Sequence, residues 1–349
     1  MSNANAVNVF ETTTEITSPK RVVVYGCGGA GINQARRLEA LVGKTALGYA
    51  EIVPMYIDTS DSNSVPDASI APRTYRFEGT VGSGGLRKEH VDLIADAANE
   101  ILSRLRPGDL NIVISSLSGG SGSVIAPCLV SELLARGQKV VVIGIASSES
   151  EIRVRNSKNT IISYANIAEE TGLPVVLSLH NNTTKTPRHA VDESISKVIF
   201  RLAVLFSGQN RELDDQDLLN WLAFTRATKF QPAVYTLAFA TSEEGADYNN
   251  LTDSEVVATE AILFPEDADT SISFGGFTDY RGFVRKENQA SIQLDYPMGF
   301  LITDGRLNKT LDALDQTLKT YEERLAAVRP RNAGLATNQE GRSKRGLVV

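Results

Sequence analysis

The chain has 349 residues, of which 42% are hydrophobic and 22% are charged, and its formal net charge is −7. This composition is typical of a folded globular protein, and the acidic balance disfavours general nucleic-acid binding. Two cysteines are too few for a disulfide framework, and with three histidines they lack the spacing of a metal site. No segment approaches the roughly 20 apolar residues of a membrane-spanning helix, so we expect a cytoplasmic protein without a membrane partner.

The first 20 residues lack the basic start and apolar core of a signal peptide and are predicted to form a flexible extension. From residue 21 onward, strand-like and helix-like patterns alternate. This alternation predicts an α/β fold, namely a Rossmann-like, doubly wound parallel sheet, over residues 21–186. Pro127 is expected to mark the start of the helix after the third strand. The predicted strands are 21–26, 50–58, 110–117, 138–147 and 173–179.

The alternation ends at a long central helix predicted over residues 187–206, and residues 187–225 are expected to hold this helix and the loop after it. A smaller α+β second domain is expected over residues 226–305, with strands at 233–242, 290–297 and 299–304. Residues 243–269 carry nine acids and no lysine or arginine, which predicts a solvated acidic loop. A C-terminal helix over 306–328 and a basic, disordered tail over 329–349 complete the prediction.

Three glycine-rich segments adjoin the predicted strands and helices. They are GCGGAG at residues 26–31, SGGSGS at residues 118–123 and GTVGSGG at residues 79–85. Glycines let the backbone approach an anion, and a helix N-terminus offers free N–H groups and a favourable dipole. Each segment alone could be a tight turn. Three of them at the carboxyl edge of one parallel sheet predict a site for a polyphosphate chain.

The first segment fits G-x-G-x-x-G and is therefore also consistent with an NAD-dependent Rossmann oxidoreductase. Such an enzyme uses an acid about 20 residues later to bind the ribose. The nearest acid at a strand end is Asp58, which lies further along the chain than this rule expects. The oxidoreductase is therefore the less favoured alternative.

The glycine segments resemble the nucleotide loops of the tubulin/FtsZ superfamily of GTP-dependent filament proteins. The second segment is similar to the signature G-G-G-T-G-[ST]-G, with Ser118 and Val124 in place of its first and last glycines. The first segment is similar to the first loop of FtsZ, including Asn33. The resemblance covers roughly residues 21–305 and implies binding of GTP or GDP with Mg²⁺, and assembly of the chain with itself into a head-to-tail polymer.

The resemblance also implies roles for individual residues. Glu151 and Arg155 reproduce the spacing of the ribose-contacting segment, although an ordinary i,i+4 ion pair would explain them as well. Asn181 or Asn182, together with Asp192, is expected to recognise guanine, whose N–H donors suit a carboxylate. The complete set of expected nucleotide-binding residues is Gly26, Cys27, Gly28, Gly29, Gly31, Asn33, Asp58, Gly84, Gly85, Ser118, Gly119, Gly120, Ser121, Gly122, Ser123, Glu151, Arg155, Asn181, Asn182 and Asp192.

Beyond the central helix, Asp214 and Asp217 match the two catalytic aspartates of FtsZ, while Glu212 replaces an asparagine. A helix N-cap with acids in the first turn is the alternative explanation. The resemblance implies that both carboxylates orient the water that attacks the γ-phosphate of the nucleotide on a neighbouring subunit. The chain is then expected to be a GTPase that polymerisation activates.

The C-terminal region resembles phage and plasmid tubulins of the PhuZ and TubZ type more than cell-division FtsZ, because a long helix replaces the usual linker and no adaptor peptide is visible. The implied function is a filament that positions phage or plasmid DNA or particles in a bacterial host. A division protein of the FtsZ type and a filament protein that does not hydrolyse GTP are the alternatives.

Overall fold

The computed structural model describes residues 19–39, 49–63, 68–182, 186–241, 256–286 and 294–336. Within these ranges the chain forms a single 11-stranded sheet with α-helices packed on it. The strands are β1 (Arg21–Cys27), β2 (Glu51–Asp58), β3 (Thr74–Arg76), β4 (Leu110–Ser116), β5 (Val140–Ser147), β6 (Val175–Asn182), β7 (Asn210–Arg211), β8 (Val234–Thr241), β9 (Val257–Pro265), β10 (Asp279–Val284) and β11 (Met298–Thr303). The α-helices are α1 (Gly28–Glu39), α2 (Val91–Arg104), α3 (Gly122–Ala135), α4 (Glu151–Thr171), α5 (Arg188–Leu205), α6 (Asp215–Leu222) and α7 (Arg306–Ala336).

The strand order in the sheet is β3-β2-β1-β4-β5-β6-β8-β11-β9-β10-β7. The strands from β3 to β6 are parallel, and the direction of strand succession reverses between β1 and β4. Ligands of doubly wound folds bind at such a reversal, outside the carboxyl ends of the strands. The prediction of a Rossmann-like, doubly wound sheet is confirmed.

Helices cover both faces of this parallel sheet. Val23 and Tyr25 of β1 face a core formed with α2, α3, α4 and α7, while Val22 and Val24 face the core formed with α1 and α5. A strand that is buried on both faces needs a continuous apolar run, because successive side chains point in opposite directions. The VVVY run of β1 therefore belongs in the middle of the sheet.

The smaller second part extends the same sheet. β8 pairs with β6 in parallel over three residue pairs, Val175 to Leu177 against Val234 to Thr236. The next strand, β11, is antiparallel to both β8 and β9, which accounts for the loss of strict strand–helix alternation in the sequence. Phe300 of β11 lies in the same core as Val24 of β1, so the two parts share one hydrophobic interior.

The described part of the acidic stretch, residues 256–269, contains a buried strand where we expected a solvated loop. Residues 242–255 lie outside the described residues, but β9 is buried along its whole length. The Glu260 carboxylate in β9 accepts hydrogen bonds from Ser273 Oγ at 2.8 Å and from the backbone N–H groups of Phe274 at 2.8 Å and Gly276 at 3.2 Å. Because these bonds compensate the buried carboxylate, the surrounding apolar residues can form a core strand.

Two helix boundaries also differ from the prediction. α3 begins at Gly122, and Pro127 lies inside the helix rather than at its start. The helix tolerates this proline because the carbonyl that loses its helical donor, that of Ser123, accepts a hydrogen bond from Arg87 instead. α7 continues past the expected end at residue 328 to residue 336.

The expected strand at residues 290–297 is not observed where the chain is described. Residues 290–293 lie outside the described residues, and residues 294–297 are not in a strand. Pro297 lacks the N–H group that a ladder requires, and the strand begins after it, as β11.

No helix in the described ranges is long and apolar enough to cross a bilayer.

The end of the expected N-terminal extension is fixed in place. Residues 1–18 lie outside the described residues, as do residues 337–349 of the expected tail. The Lys20 backbone oxygen, however, accepts a hydrogen bond from the N–H of Glu51 at 2.7 Å. Lys20 Nζ lies 2.5 Å from Asp215 Oδ2 and 3.3 Å from Asp109 Oδ1. Two carboxylates and a backbone hydrogen bond to β2 therefore hold Lys20 in place. The predicted flexible extension of residues 1–20 is wrong for this residue.

Candidate functional site

A cavity of about 320 Å³ lies at the reversal between β1 and β4. All three glycine segments line it, with residues 27–30, 81–84 and 119–122. Asp58, Ser60 and Asn63, which end or follow β2, form another wall. The sequence segments that predicted an anion site therefore come together at one point of the sheet edge.

Two helix N-termini border this cavity. α1 begins at Gly28 and α3 at Gly122, and both glycines line the cavity. Neither helix has an acid in its first turn, and the Ser121 side chain makes no capping hydrogen bond to α3. The first N–H groups of a helix lack intrahelical acceptors and carry the positive end of its dipole. The cavity therefore offers donors to an anion, although no lysine or arginine of the described chain lines it.

Gly28 and Gly122 bring the first two glycine segments into backbone contact. Gly28 has a φ of +68°, and a Cβ atom there would lie 2.8 Å from Gly122 Cα. A Cβ atom on Gly122 would lie 2.5 Å from the Cys27 carbonyl oxygen. Both distances are far below ordinary contact, so only glycine fits at either position without moving the loops.

Side-chain hydrogen bonds join the second and third segments to each other and to the end of β2. Thr59 Oγ1, directly after β2, lies 2.5 Å from Ser121 Oγ, which in turn donates to Ser83 Oγ at 3.0 Å. The Asn156 amide, on α4, donates to the carbonyl oxygens of Gly85 at 2.9 Å and Ser118 at 3.2 Å. These side chains fix the second and third segments relative to each other.

Asp58 is the acidic residue of the cavity. Its Oδ1 accepts a hydrogen bond from the Thr59 N–H at 2.7 Å, and its Oδ2 accepts one from Asn63 Nδ2 at 2.7 Å. Burial raises the pKa of the Asp58 carboxyl above its ordinary value, and these hydrogen bonds oppose the rise. A carboxylate beside a bound anion repels it unless a cation or proton lies between them.

A second cavity of about 460 Å³ adjoins the first, and Ala30 and Ser116 line both. Asp192 of α5 lies in this second cavity, where its carboxylate accepts hydrogen bonds from Gln34 Nε2 at 2.5 Å and from Arg37 Nη1 at 3.4 Å. Further side chains that line it are those of Asn33, Ser118, Arg153, Asn182 and Arg188. The two cavities form one elongated site with polar groups at both ends.

Most of the expected nucleotide-binding residues line this site. Those in the first cavity are Cys27, Gly28, Gly29, Asp58, Gly84, Gly119, Gly120, Ser121 and Gly122. Those in the second are Asn33, Ser118, Asn182 and Asp192. The remaining expected residues, which line neither cavity, are Gly26, Gly31, Gly85, Ser123, Glu151, Arg155 and Asn181.

Several expected residues that line neither cavity make other contacts in the structure. A Cβ atom on Gly31 would lie 2.2 Å from the Ile114 carbonyl oxygen, so this glycine lets α1 approach β4. Glu151 and Arg155 form an exposed i,i+4 ion pair at 2.6 Å, which is the alternative that the spacing left open. Asn181 faces a different cavity, next to Leu314 and Thr317 of α7.

Asp214 and Asp217 lie at the start of α6. Asp214 Oδ1 accepts hydrogen bonds from the N–H groups of Gln216 at 2.7 Å and Asp217 at 2.9 Å, and Asp217 Oδ2 accepts one from the Asp214 N–H at 3.1 Å. This reciprocal pair is a capping box, so both aspartates stabilise the helix start. Asp214 is exposed and Asp217 is half-buried.

The start of α6 is at the opposite edge of the sheet from the cavities. Asp215 lies 2.5 Å from Lys20 Nζ and 3.8 Å from Lys139 Nζ, and these lysines directly precede β1 and β5. The glycine segments follow the other ends of the strands. Because β1 has 7 residues and a strand rises about 3.3 Å per residue, the two edges are more than about 20 Å apart. Asp214 and Asp217 therefore cannot contact a ligand in the cavities of their own chain.

Comparison with known proteins shows which proteins the chain resembles in sequence and in fold. No protein-family model matches the chain. The phage tubulin-like protein of Pseudomonas phage phiKZ is 33% identical over 213 residues, which are 58% of this chain and 62% of that protein. The phage tubulin-like protein of Pseudomonas phage PhiPA3 is 28% identical over 316 residues, or 87% of this chain and 94% of that protein.

Solved structures agree with the sequence relatives. The TubZ protofilament of bacteriophage PhiKZ superimposes with a TM-score of 0.74 and 26% identity, and the alignment covers 95% of this chain and all of that one. In sequence and in fold, the chain is similar to phage tubulins. The phage tubulin PhuZ, solved with GDP, shares the fold of this chain at a TM-score of 0.76 and 23% identity, over 94% of this chain and 98% of that one. These findings confirm the tubulin/FtsZ resemblance and favour it over the oxidoreductase alternative.

The sequence did not reveal every residue that lines or supports the two cavities. Asn156, Arg153 and Arg188 were not among the expected residues, although Asn156 holds two glycine segments and the arginines line the second cavity. No local motif marks these residues. Arg153, which lines the second cavity, lies on the same helix as the expected Arg155, which lines neither cavity.

Proposed function

We propose that this chain binds GTP and GDP in the two adjoining cavities and assembles head to tail into filaments that hydrolyse GTP at their junctions. The observation that carries the proposal is the elongated site at the β1–β4 reversal, with free helix N-termini at one end and a carboxylate, Asp192, at the other. The structure of PhuZ with GDP and the protofilament of TubZ support both parts of the proposal.

The phosphates are placed in the first cavity, where backbone N–H groups at the starts of α1 and α3 face them. The guanine is placed in the second cavity, because its N1–H and N2–H₂ donors suit the Asp192 carboxylate. Asn182 lines the same cavity as Asp192, whereas Asn181 does not, so Asn182 is the better candidate for base recognition. Arg153 and Arg188 bring positive charge to the same cavity.

Magnesium fits the first cavity through Asp58. The described residues contain no cluster of three or more His, Cys, Asp or Glu side chains that could hold a metal alone. Mg²⁺ in nucleotide sites is commonly held by one or two carboxylates, phosphate oxygens and water. Asp58 would contribute the carboxylate, and the ion would supply the charge neutralisation that lets this acid and the phosphates share one cavity.

Hydrolysis is placed at the junction because Asp214 and Asp217 lie at the edge of the sheet opposite the nucleotide site. When the nucleotide site lies at one end of a subunit and the surface that covers it lies at the other end, subunits contact each other head to tail. Such contacts form open filaments. In the filament, the aspartates of one subunit would face the phosphates of the next. Phosphoryl transfer requires mainly positioning and charge stabilisation, so the carboxylates would orient the attacking water.

Nucleotide choice is tested first, by titrating the full chain with fluorescent GTP and competing with unlabelled GTP, ATP and NAD. We expect GTP and GDP to compete at much lower concentration than ATP or NAD. The Asp192→Asn variant should lose most of the preference for GTP over ATP, because the carboxylate that accepts the guanine donors is removed. A chain that binds NAD and not GTP would refute the proposed function.

The shared site is tested by measuring GTP turnover per subunit against protein concentration, with light scattering to follow assembly. We expect the rate to rise with concentration, since only junctions are active. Asp217→Asn keeps the side-chain size and an acceptor for the capping box, and it should bind GTP and assemble but hydrolyse it at least about 100-fold more slowly. Asp215→Asn removes the same charge two residues away and serves as the control. A rate independent of concentration down to the monomer would rule out the shared site.

We also propose that the filaments position phage or plasmid DNA or particles inside a bacterial cell, on the strength of the similarity to the phage proteins. Imaging of labelled chain and labelled DNA in the same cells tests this role. Filaments that move or centre the DNA support it. Filaments confined to the division septum would support the alternative of an FtsZ-type division protein.

A further inference from the structure

α3 lacks one of its regular backbone hydrogen bonds close to the nucleotide site. In a regular helix, the N–H of residue 127 donates to the carbonyl oxygen of residue 123. Residue 127 is Pro127, which has no N–H, so the Ser123 carbonyl loses its helical donor. Ser123 is the last residue of the second glycine segment, which lines the first cavity with residues 119–122, and its hydroxyl donates to the carbonyl oxygen of Gly119 at 2.6 Å.

Arg87 supplies a donor to this carbonyl. Arg87 Nη1 donates to the Ser123 carbonyl oxygen at 2.7 Å and also contacts Thr160 Oγ1 on α4. The other guanidinium nitrogen, Nη2, donates to Ser163 Oγ at 3.1 Å. The planar fork of arginine can reach both helices at once, which a single ammonium group does not do in the same geometry.

The position of Arg87 in the chain gives this contact its significance. Arg87 comes two residues after Gly85, at the end of the third glycine segment. The second and third segments touch each other, since a Cβ atom on Gly120 would lie 1.9 Å from Ser83 Oγ. A side chain that starts at one segment and bonds to the backbone of the other fixes their separation.

We propose that Arg87 is a positioning residue for the phosphate site, where it replaces the backbone donor that Pro127 lacks and ties the third glycine segment to the start of α3. The effect on nucleotide affinity rests on the proposed function, while the effect on the loop itself does not. Because the bond comes from residue 87 rather than from within α3, order in the first turn of α3 depends on the placement of the third segment. Burial lowers the pKa of the Arg87 guanidinium below its ordinary value, but the group stays charged at neutral pH.

The test uses the partnership with Pro127. Arg87→Met removes the donor and keeps an apolar stem, and we expect it to weaken binding of fluorescent GTP by about tenfold, the usual effect of losing a charge-assisted hydrogen bond. Pro127→Ala restores an N–H that can reach the Ser123 carbonyl. The double variant Arg87→Met/Pro127→Ala should therefore recover most of the lost affinity. Ser163→Ala removes only the Nη2 contact and should stay within about twofold of the original chain.

A second measurement does not depend on GTP binding. Hydrogen exchange of the amides in residues 118–126 should be faster in Arg87→Met than in the original chain and should return toward it in the double variant. Arg87→Lys provides an intermediate case if Arg87→Met does not fold. Unchanged exchange in Arg87→Met or Arg87→Lys, or a double variant that shows no recovery, would overturn the proposal. If the original chain fails to bind GTP, the proposed function fails, and the exchange data still decide the role of Arg87.

Discussion

The contact between Gly122 and the Cys27 carbonyl predicts a sharp effect of one added methyl group. In Gly122→Ala the new Cβ atom would lie 2.5 Å from that oxygen, whereas ordinary contact begins at 3.4 Å. The first two glycine segments must therefore separate by about 0.9 Å, the difference between these two distances. Neither side of the contact can yield by rotating a side chain, because the atoms that Cβ meets belong to the backbone.

The expected cost follows from this geometry. Overpacking of this kind destabilises a protein by about 1–3 kcal/mol. The separation also moves the N-termini of α1 and α3 apart, so that a phosphate cannot bond to both in the same way. Loss of one or two hydrogen bonds to a charged group, at about 1.5–3 kcal/mol each, lowers affinity at least tenfold. We therefore expect Gly122→Ala to be modestly less stable and to bind GTP much more weakly.

Urea unfolding and titration with fluorescent GTP measure the two effects separately. Gly119→Ala is the control for stability, because its Cβ atom would meet Ser116 at 3.7 Å, an ordinary contact. We expect its free energy of unfolding to stay within about 0.5 kcal/mol of the original value. Gly122→Ala with unchanged stability and unchanged GTP affinity would show that the backbone contact between the segments does not define the site.

Three further predictions concern other positions. Gly120→Val should abolish GTP binding in a folded chain, because its Cβ atom would lie 1.9 Å from Ser83 Oγ, and retained affinity in a titration would contradict the placement of the phosphates. Burial lowers the pKa of His180 to about 4, from 6.5. Because the unfolded chain then takes up a proton at a higher pH than the folded chain, the free energy of unfolding should fall as the pH drops from about 6.5 toward 4. We expect a loss of about 1–2 kcal/mol between pH 7 and pH 5. Urea unfolding at both pH values should show a smaller fall for His180→Gln, and an equal fall would refute this cause. Glu212 has a φ of +72°, so Glu212→Asn should raise the free energy of unfolding by roughly 0.5–1 kcal/mol, and a lower urea midpoint would contradict this expectation.

The sequence was sufficient to predict the parallel half of the fold and the place of the site. Apolar runs such as that of β1 and the glycine segments after the strands are local signals, because each depends on residues that are adjacent in the chain. Once the strands are taken as parallel, their carboxyl ends must meet at one edge. The cavity between Gly28 and Gly122 then follows from the fold class.

Other features depend on contacts between distant residues and could not be predicted. Glu260 could be assigned to a core strand only with knowledge of the donors at residues 273–276 that satisfy its carboxylate. Asn181 and Asn182 are adjacent, and the choice between them requires the placement of β6 next to α5 and α7. Arg87 looks like an ordinary surface cation until the Ser123 carbonyl is seen beside it.

The short pairing between β6 and β8 has a mechanical consequence. These strands are joined by three residue pairs, whereas β5 and β6 are joined by six pairs from Val142 to Ser147. A pull that separates the two parts of the molecule meets fewer backbone hydrogen bonds at this seam than between β5 and β6. We therefore expect tension between the two parts to separate β6 from β8 before it separates β5 from β6. The two parts would then stay connected through α5, which follows β6 in the chain.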